Sequence, residues 1–252
     1  MRDDASGWIS LHPGELYLIW TELGLGALPT VLDIPHVGRT AAARAELVEL
    51  ADRALGDRDL GTVARPAADL AAMLHALASP QLLLDLQVTG PGVSFRAVGA
   101  AGPHGAVTAG VADGDVRIGP VHTQALVATM LDATSPLPAG VGSPGNVRLA
   151  DYRRACRAGE YEGAAGFVET LRGAGVRPAE ANTFARAVSG RVGGGQLGAG
   201  SRERGRASST VNWVDTEDGR YTLRQHGDWV TVTPVDPGRL RSMAEEMLGD
   251  LT

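Results

Sequence analysis

Apolar residues recur at helical spacing over residues 15–24, where Leu16, Ile19, Trp20 and Leu23 share one face and Gly24 supplies a stop. Residues 28–35 (LPTVLDIP) then read as extended. Thr40 can cap a helix over 41–55, with Leu47, Leu50 and Leu55 near one stripe, and a second helix follows Pro66 as far as Ser79. From Leu82 the period drops to two. LLLDLQV, VSFRAV, GAVTAGV and DVRIGPV read as four strands, separated by the turn sequences GPG, GAAGPHG and ADGD. A helix, TQALVATML, ends at Leu131. Residues 132–147, rich in Gly, Pro and Ser, form the best linker candidate in the chain.

The pattern then repeats. Helices are predicted over 150–158, 161–173 and 178–189, with Gly173 and Gly190 as stops. Four β-like runs follow (GGQLGAGS, STVNWVD, RYTLRQH and WVTVTPV), joined by a polar loop and by EDG and HGD turns, and GRLRSMAEEML closes the chain as a helix. Residues 113–131 also lie over 226–248 by letter. Gly114-Asp115 matches Gly227-Asp228, Pro120-Val121 matches Pro234-Val235, and Met130-Leu131 matches Met247-Leu248, with one extra residue in the second copy's strand and three in its helix. A hairpin followed by a helix gives part of this likeness without duplication. Read as a duplication, it predicts two related halves, 9–131 and 148–251, joined by 132–147. They would build one pseudo-twofold antiparallel sheet with helices packed against it, an α+β fold within a single domain over 1–252.

The second-half hairpin has two unlike faces. Tyr221 and Leu223 point one way, and Arg220, Thr222 and Arg224 the other. Val230 and Val232 likewise oppose Trp229, Thr231 and Thr233. The apolar face can take helices. The Thr/Arg-rich face with its tryptophan reads either as a docking surface, since Trp and Arg are enriched at binding hot spots, or as an ordinary exposed face.

Composition narrows the chemistry. The 252 residues are 44% hydrophobic and 21% charged, as in a soluble globular chain. The balance of 23 basic against 29 acidic residues, net −6, argues against general nucleic-acid binding. Every base is arginine. With no lysine there is no P-loop, no Schiff-base lysine and no kinase-type lysine. Cys156 is the single cysteine, so no internal disulfide or Cys-cluster metal site can form, and a small buried side chain is its default reading. The start, MRDDASGW, has aspartates where a signal peptide wants bases, and no window approaches 18 unbroken apolar residues. A cytoplasmic protein is expected, without membrane insertion.

Motifs with possible chemistry have plainer readings beside them. GGGQLG at 193–198 matches the dinucleotide fingerprint by letter, but a helix precedes it and a strand follows, so a flexible helix-to-strand hinge is the expectation. The six histidines (His12, His36, His75, His104, His122 and His226) show no metal-ligand spacing, and no serine sits in a nucleophile elbow. Asp215, Glu217 and Asp218 could supply paired carboxylates, yet Asp218-Gly219 between alternating strands signals a hairpin turn. The arginines of SRERGRAS (201–208) could meet phosphate or an acidic partner, or line a solvated loop. No catalytic, metal or cofactor residue emerges.

Two segments carry a family resemblance. ELGLGALPTVLDIPHVGRTAAARAEL (22–47) resembles the amino-terminal signature of the EspG family of ESX secretion-associated proteins. GGGQLGAGSRERGRASSTVNWVDTEDGRYTLRQHGDWVTVTPVDPGRL (193–240) resembles its carboxy-terminal half, with the Gly-Gln-Leu-Gly start, the Trp213 strand, the DG-R-Y hairpin and the strand-Pro-helix finish in order. The likeness runs from about Ile9 to Leu251 and is diffuse. Between Asp132 and Ala179 it holds only in helix pattern. A Gly-rich first sheet (99–114) and short helices depart from the family. The resemblance implies a central antiparallel sheet with two helical bundles. It implies a cytosolic, ATP-independent chaperone of type VII (ESX) secretion, which binds the apolar tip of the PPE subunit in PE–PPE heterodimers and routes them to the secretion machine. No catalytic residue or cofactor comes with it, and no nucleic acid. Whether the free protein is a monomer or a weak homodimer is left open. Trp213, Trp229, Phe184, Leu197 and His104 are the candidate partner contacts. Two rivals stand beside this reading: an enzyme with a non-sequential acid/base site including Asp215 or His226, and an acidic-partner or nucleic-acid module working through 201–208.

Overall fold

Twelve strands and seven helices are formed by the residues that the computed structural model describes, 2–3, 7–103 and 105–251. The first half opens with β1 (Arg2–Asp3) and β2 (Trp8–Leu11), followed by α1 (Pro13–Glu22), α2 (Ala41–Gly56) and α3 (Ala68–Ala78). His12 caps α1: its Nδ1 accepts from the Gly14 amide at 3.1 Å while Glu15 accepts from the His12 amide at 2.8 Å, and Pro13 takes the first helical position. Thr40 caps α2 as its sequence position suggests, accepting from the Ala43 amide at 3.2 Å. Residues 28–35 are not a strand. Pro29 and Pro35 bracket them and supply no ladder donors, and only the short 3₁₀ turn Thr30–Leu32 forms, burying Leu32.

A four-strand meander follows: β3 (Leu82–Gly90), β4 (Val93–Gly102), β5 (Gly105–Ala112) and β6 (Asp115–Val121), then α4 (Leu126–Asp132). The second half comprises β7 (Gly145–Arg148), α5 (Leu149–Gly173), α6 (Pro178–Ser189), β8 (Arg191–Ser201), β9 (Gly205–Arg206), β10 (Val211–Thr216), β11 (Gly219–His226), β12 (Trp229–Pro234) and α7 (Pro237–Gly249). The two helices expected over 150–173 run together as α5, broken at Gly163 by a positive φ of 66°.

All strands join one antiparallel sheet in the order β1-β2-β6-β5-β4-β3-β8-β10-β11-β12-β7, with β9 on β8. From the central β3–β8 pair outward, each half lays down its meander in sequence. Each then closes its edge with the strand that precedes its helices, β2 or β7. The two hairpins also match in register without an insertion. Val107 faces Pro120 and Tyr221 faces Pro234, and each hairpin closes on a two-residue turn, Asp113-Gly114 or Gly227-Asp228. The extra residue suggested by the letter match is therefore absent from the second-half hairpin.

Strand alternation distributes the helices. On the front face, α1–α3 cover Ile9, Leu11, Val98, Val107, Val116 and Ile118 of the first wing. On the same face of the second wing, α5 and α6 cover Val147, Tyr221, Val230 and Val232. On the back, α4 and α7 pack together over the centre, against Leu84, Leu86, Leu197, Ala199 and Trp213. The outer back faces of both wings carry no helix.

Two expectations change here. GGGQLG is neither a hinge nor a nucleotide loop but the middle of β8, at the centre of the sheet. Gly195 faces Trp213 directly, and a Cβ there would overlap the indole, so the glycine makes room for the ring. Residues 132–147 are not a free linker. The Arg220 amide donates to Pro138 O at 2.8 Å, the Gly140 amide to Arg220 O at 3.0 Å, and the Tyr221 hydroxyl to Val141 O at 3.0 Å. The segment ends as strand β7.

Candidate partner-binding surface

The back face of the second wing is built by β11 and β12. Cross-strand pairs Thr222–Thr233, Arg224–Thr231 and His226–Trp229 set its rows. The opposite side of the same strands buries Tyr221, Val230 and Val232 under α5 and α6, which fixes this side outward. Trp229 is 46% exposed, and the Arg148 guanidinium from β7 lies 4.9 Å from the indole centroid. Thr231 donates its hydroxyl hydrogen bond to Asn146 Oδ1. Between this floor and Arg239 and Met243 of α7 runs an open groove of about 410 Å³. The chemistry on offer is an aromatic ring, a methionine, threonine methyls and hydroxyls, and the exposed cation of Arg224.

The other candidate contacts do not gather here. Trp213 is buried between the sheet and the α4–α7 pair, with the Arg220 guanidinium 5.4 Å from its ring. Phe184 is buried in the α5–α6 core, tilted 5.9 Å from the Tyr152 ring. Leu197 is fully buried in the central core. Their burial corrects the expectation that these three touch a partner: each is spent on the fold. His104 lies outside the described residues. Trp229 alone of the described candidates presents a surface.

The rival constellations are also resolved. Asp215 is held by Arg220, with Nε to Oδ1 at 2.6 Å and Nη2 to Oδ2 at 3.1 Å, and Arg220 itself is 1% exposed. Its remaining N–H groups reach Thr134 Oγ1 at 3.4 Å and Ser135 O at 3.1 Å. His226 stands at the far end of β11, six residues on, about 20 Å away at strand rise. Asp215 and His226 thus form no common acid/base site. Asp218 pairs with Arg186 at 2.8 Å. In the 201–208 segment Arg206 grips Asp85 with both Nη atoms and Arg204 donates to Asp250 O at 3.1 Å, so two of its three arginines are committed internally. Among the described residues, no three His, Cys, Asp or Glu side chains converge to hold a metal ion, and no helix is long and apolar enough to cross a membrane. Cys156 lies half-buried beside Tyr152, and burial pushes both the thiol and the phenol upward.

The model of the EspG family matches residues 12–246. The chain belongs to the EspG family. The family fold extends over essentially the whole chain: the solved structure of the Mycobacterium tuberculosis type VII secretion system chaperone EspG5, in complex with the PE25–PPE41 dimer, aligns with a TM-score of 0.78 at 16% identity, covering 97% of each chain. No protein of curated function matches the sequence significantly.

Within this EspG fold, two site residues escaped sequence reasoning. Arg148, which stacks on Trp229, follows directly on the segment 132–147 that reads as linker, at the end of a strand that begins inside it. The alternation through Gly145, Val147 and their neighbours was its only signal, masked by the surrounding glycines and prolines. Strand alternation puts Arg220 on the outward face, and it does point there. It is covered, however, by residues 134–136 and the start of α7, which the pattern within one hairpin cannot reveal.

Proposed function

We propose that this chain is a cytoplasmic, ATP-independent chaperone that binds the apolar tip of PPE in a PE–PPE heterodimer and keeps the pair soluble for a type VII secretion system. What carries the reading is EspG membership over residues 12–246, joined to a whole-length fold match with a chaperone solved in complex with a PE–PPE dimer. No catalysis is part of this reading. The two halves are read as a pseudo-twofold pair within one domain, an assignment supported by the mirrored strand order about β3 and β8.

We place the client on the back face of the second wing. A helical tip exposes apolar side chains and unsatisfied terminal carbonyls together. Trp229 and Met243 can cover the first, at roughly 25 cal/mol per Å² of apolar surface removed from water. Arg224 and the Thr233 hydroxyl can donate to the second, the Thr222 and Thr231 hydroxyls already donating to Thr233 O and Asn146 Oδ1. Co-expression with PE–PPE pairs encoded near its own gene, read by size exclusion with light scattering, tests the proposal. A 1:1:1 complex weakened by Trp229→Glu is expected. A complex indifferent to that change would move the interface elsewhere, and no complex with any pair would overturn the chaperone reading.

A further inference from the structure

The back face of the first wing holds a pocket that the chaperone reading does not use. Its floor is two rows of the sheet, Gly99–Thr108–Gly119 and Ala97–Gly110–Arg117, fixed by the β4–β5 and β5–β6 registers. A Cβ on Gly119 would overlap the Trp8 ring, one on Gly110 would stand 3.0 Å from Phe95, and one on Gly99 would stand 2.9 Å from Leu126. The glycines thus let aromatic and aliphatic side chains fold down as walls around a space of about 200 Å³, closed on one flank by Met130 of α4.

Among the described residues, three polar side chains that line this apolar setting make no hydrogen bond or ion pair: Thr108, Arg117 and Thr129. Thr108 is 4% exposed, lines the pocket, and its Oγ1 is buried with no hydrogen-bond partner. Its cross-strand neighbours on both sides are glycines, so no side chain is available to satisfy it. Leaving a buried hydroxyl unpaired is costly, and such groups call for an explanation. Arg117 also lines the pocket and, among the described residues, makes no ion pair or hydrogen bond; no carboxylate lines the space with it. Thr108 and Arg117 are diagonal neighbours on adjacent antiparallel strands, about 7–8 Å apart at Cα, a gap that one carboxylate spans.

We propose that this pocket binds a small aromatic carboxylate. The ring lies between Trp8, Phe95 and Met130. One carboxylate oxygen accepts from the Thr108 hydroxyl and the other from the Arg117 guanidinium. The site is on the wing opposite Trp229 and stands independently of client binding.

Titration calorimetry of the full chain with 3-phenylpropionate tests it, with 3-phenylpropanol and acetate as probes lacking the charge or the ring. Saturable 1:1 binding is expected with Kd below about 1 mM, and at least about tenfold weaker binding for both controls. Arg117→Gln and Thr108→Val should each weaken the acid by about tenfold, while Thr108→Val leaves the Tm no lower, since it removes a buried unpaired hydroxyl. Equal affinity for acid and alcohol, either variant staying within about twofold of wild type, or no saturation by about 10 mM would overturn the proposal. Should Thr108→Val fail to fold, the Thr108 methyl resonance of the wild-type protein decides instead. It must shift on titration with the acid and not with acetate.

Discussion

The back faces of the two wings share a backbone and differ in what covers it. The paired registers put Ala106, Thr108, Gly110, Arg117 and Gly119 of the first hairpin where Arg220, Thr222, Arg224, Thr231 and Thr233 stand in the second. In the first wing glycine removes the Cβ, and the rings of Trp8 and Phe95 fold onto the strands. In the second wing β-branched threonines keep the strand surface raised, and β7 brings no ring across to lie on it. The tryptophan of that wing stands instead at the hairpin end, half exposed and braced by Arg148. Small side chains thus turn one face into a walled pocket, and threonines turn its counterpart into an open surface. One scaffold presents two kinds of site according to which residues sit in the outward rows.

The largest effect expected from breaking this contrast is at Arg220. Its first-wing counterpart is Ala106, so Arg220→Ala makes the wings alike, but it strands the Asp215 carboxylate and frees residues 134–135. Loss of about 3–5 kcal/mol in urea unfolding is expected. Next comes Gly119→Thr, which copies Thr233 into the first wing. Its Cβ overlaps the Trp8 indole, so the ring must leave the sheet, at a cost of about 1–3 kcal/mol with a change in Trp fluorescence.

Trp229→Ala should be milder for the fold. The ring is half exposed and its Arg148 stacking contributes less than about 1 kcal/mol, so the unfolding midpoint barely moves while client affinity falls about tenfold. The smallest effect concerns Cys156, in the helices of the second wing. Burial raises its pKa, so little thiolate exists at pH 8. Alkylation by iodoacetamide should be slow in the native chain, quicken as pH rises, and become rapid on unfolding.

Much of the contrast was legible in the sequence. The inward and outward sets of β11 and β12 follow from alternation alone, because Tyr221, Leu223, Val230 and Val232 oppose Thr222, Arg224, Thr231 and Thr233 with hardly a break. The Thr40 cap, the start of a helix at Pro178 and the four-strand meanders were legible for the same local reasons. The strands β2 and β7, which close the two meanders, were not. Each has four residues, too few for a period to emerge, and each is held by a distant strand rather than by its own pattern. Burial of Trp213 was also hidden, since it depends on Gly195 from β8 and on α7 passing over the ring, both remote in sequence. Side-chain type suggested hot spots, but tertiary packing decided that Trp229 stays at the surface and Trp213, Phe184 and Leu197 do not.

Hydrogen–deuterium exchange on the chain alone and bound to a PE–PPE pair tests the central claim most directly. The account predicts new protection in β11 and β12 around Arg224 to Thr233 and in the exposed flank of α7, with β5 and β6 unchanged. Protection falling on the first wing, or on neither back face, would contradict it.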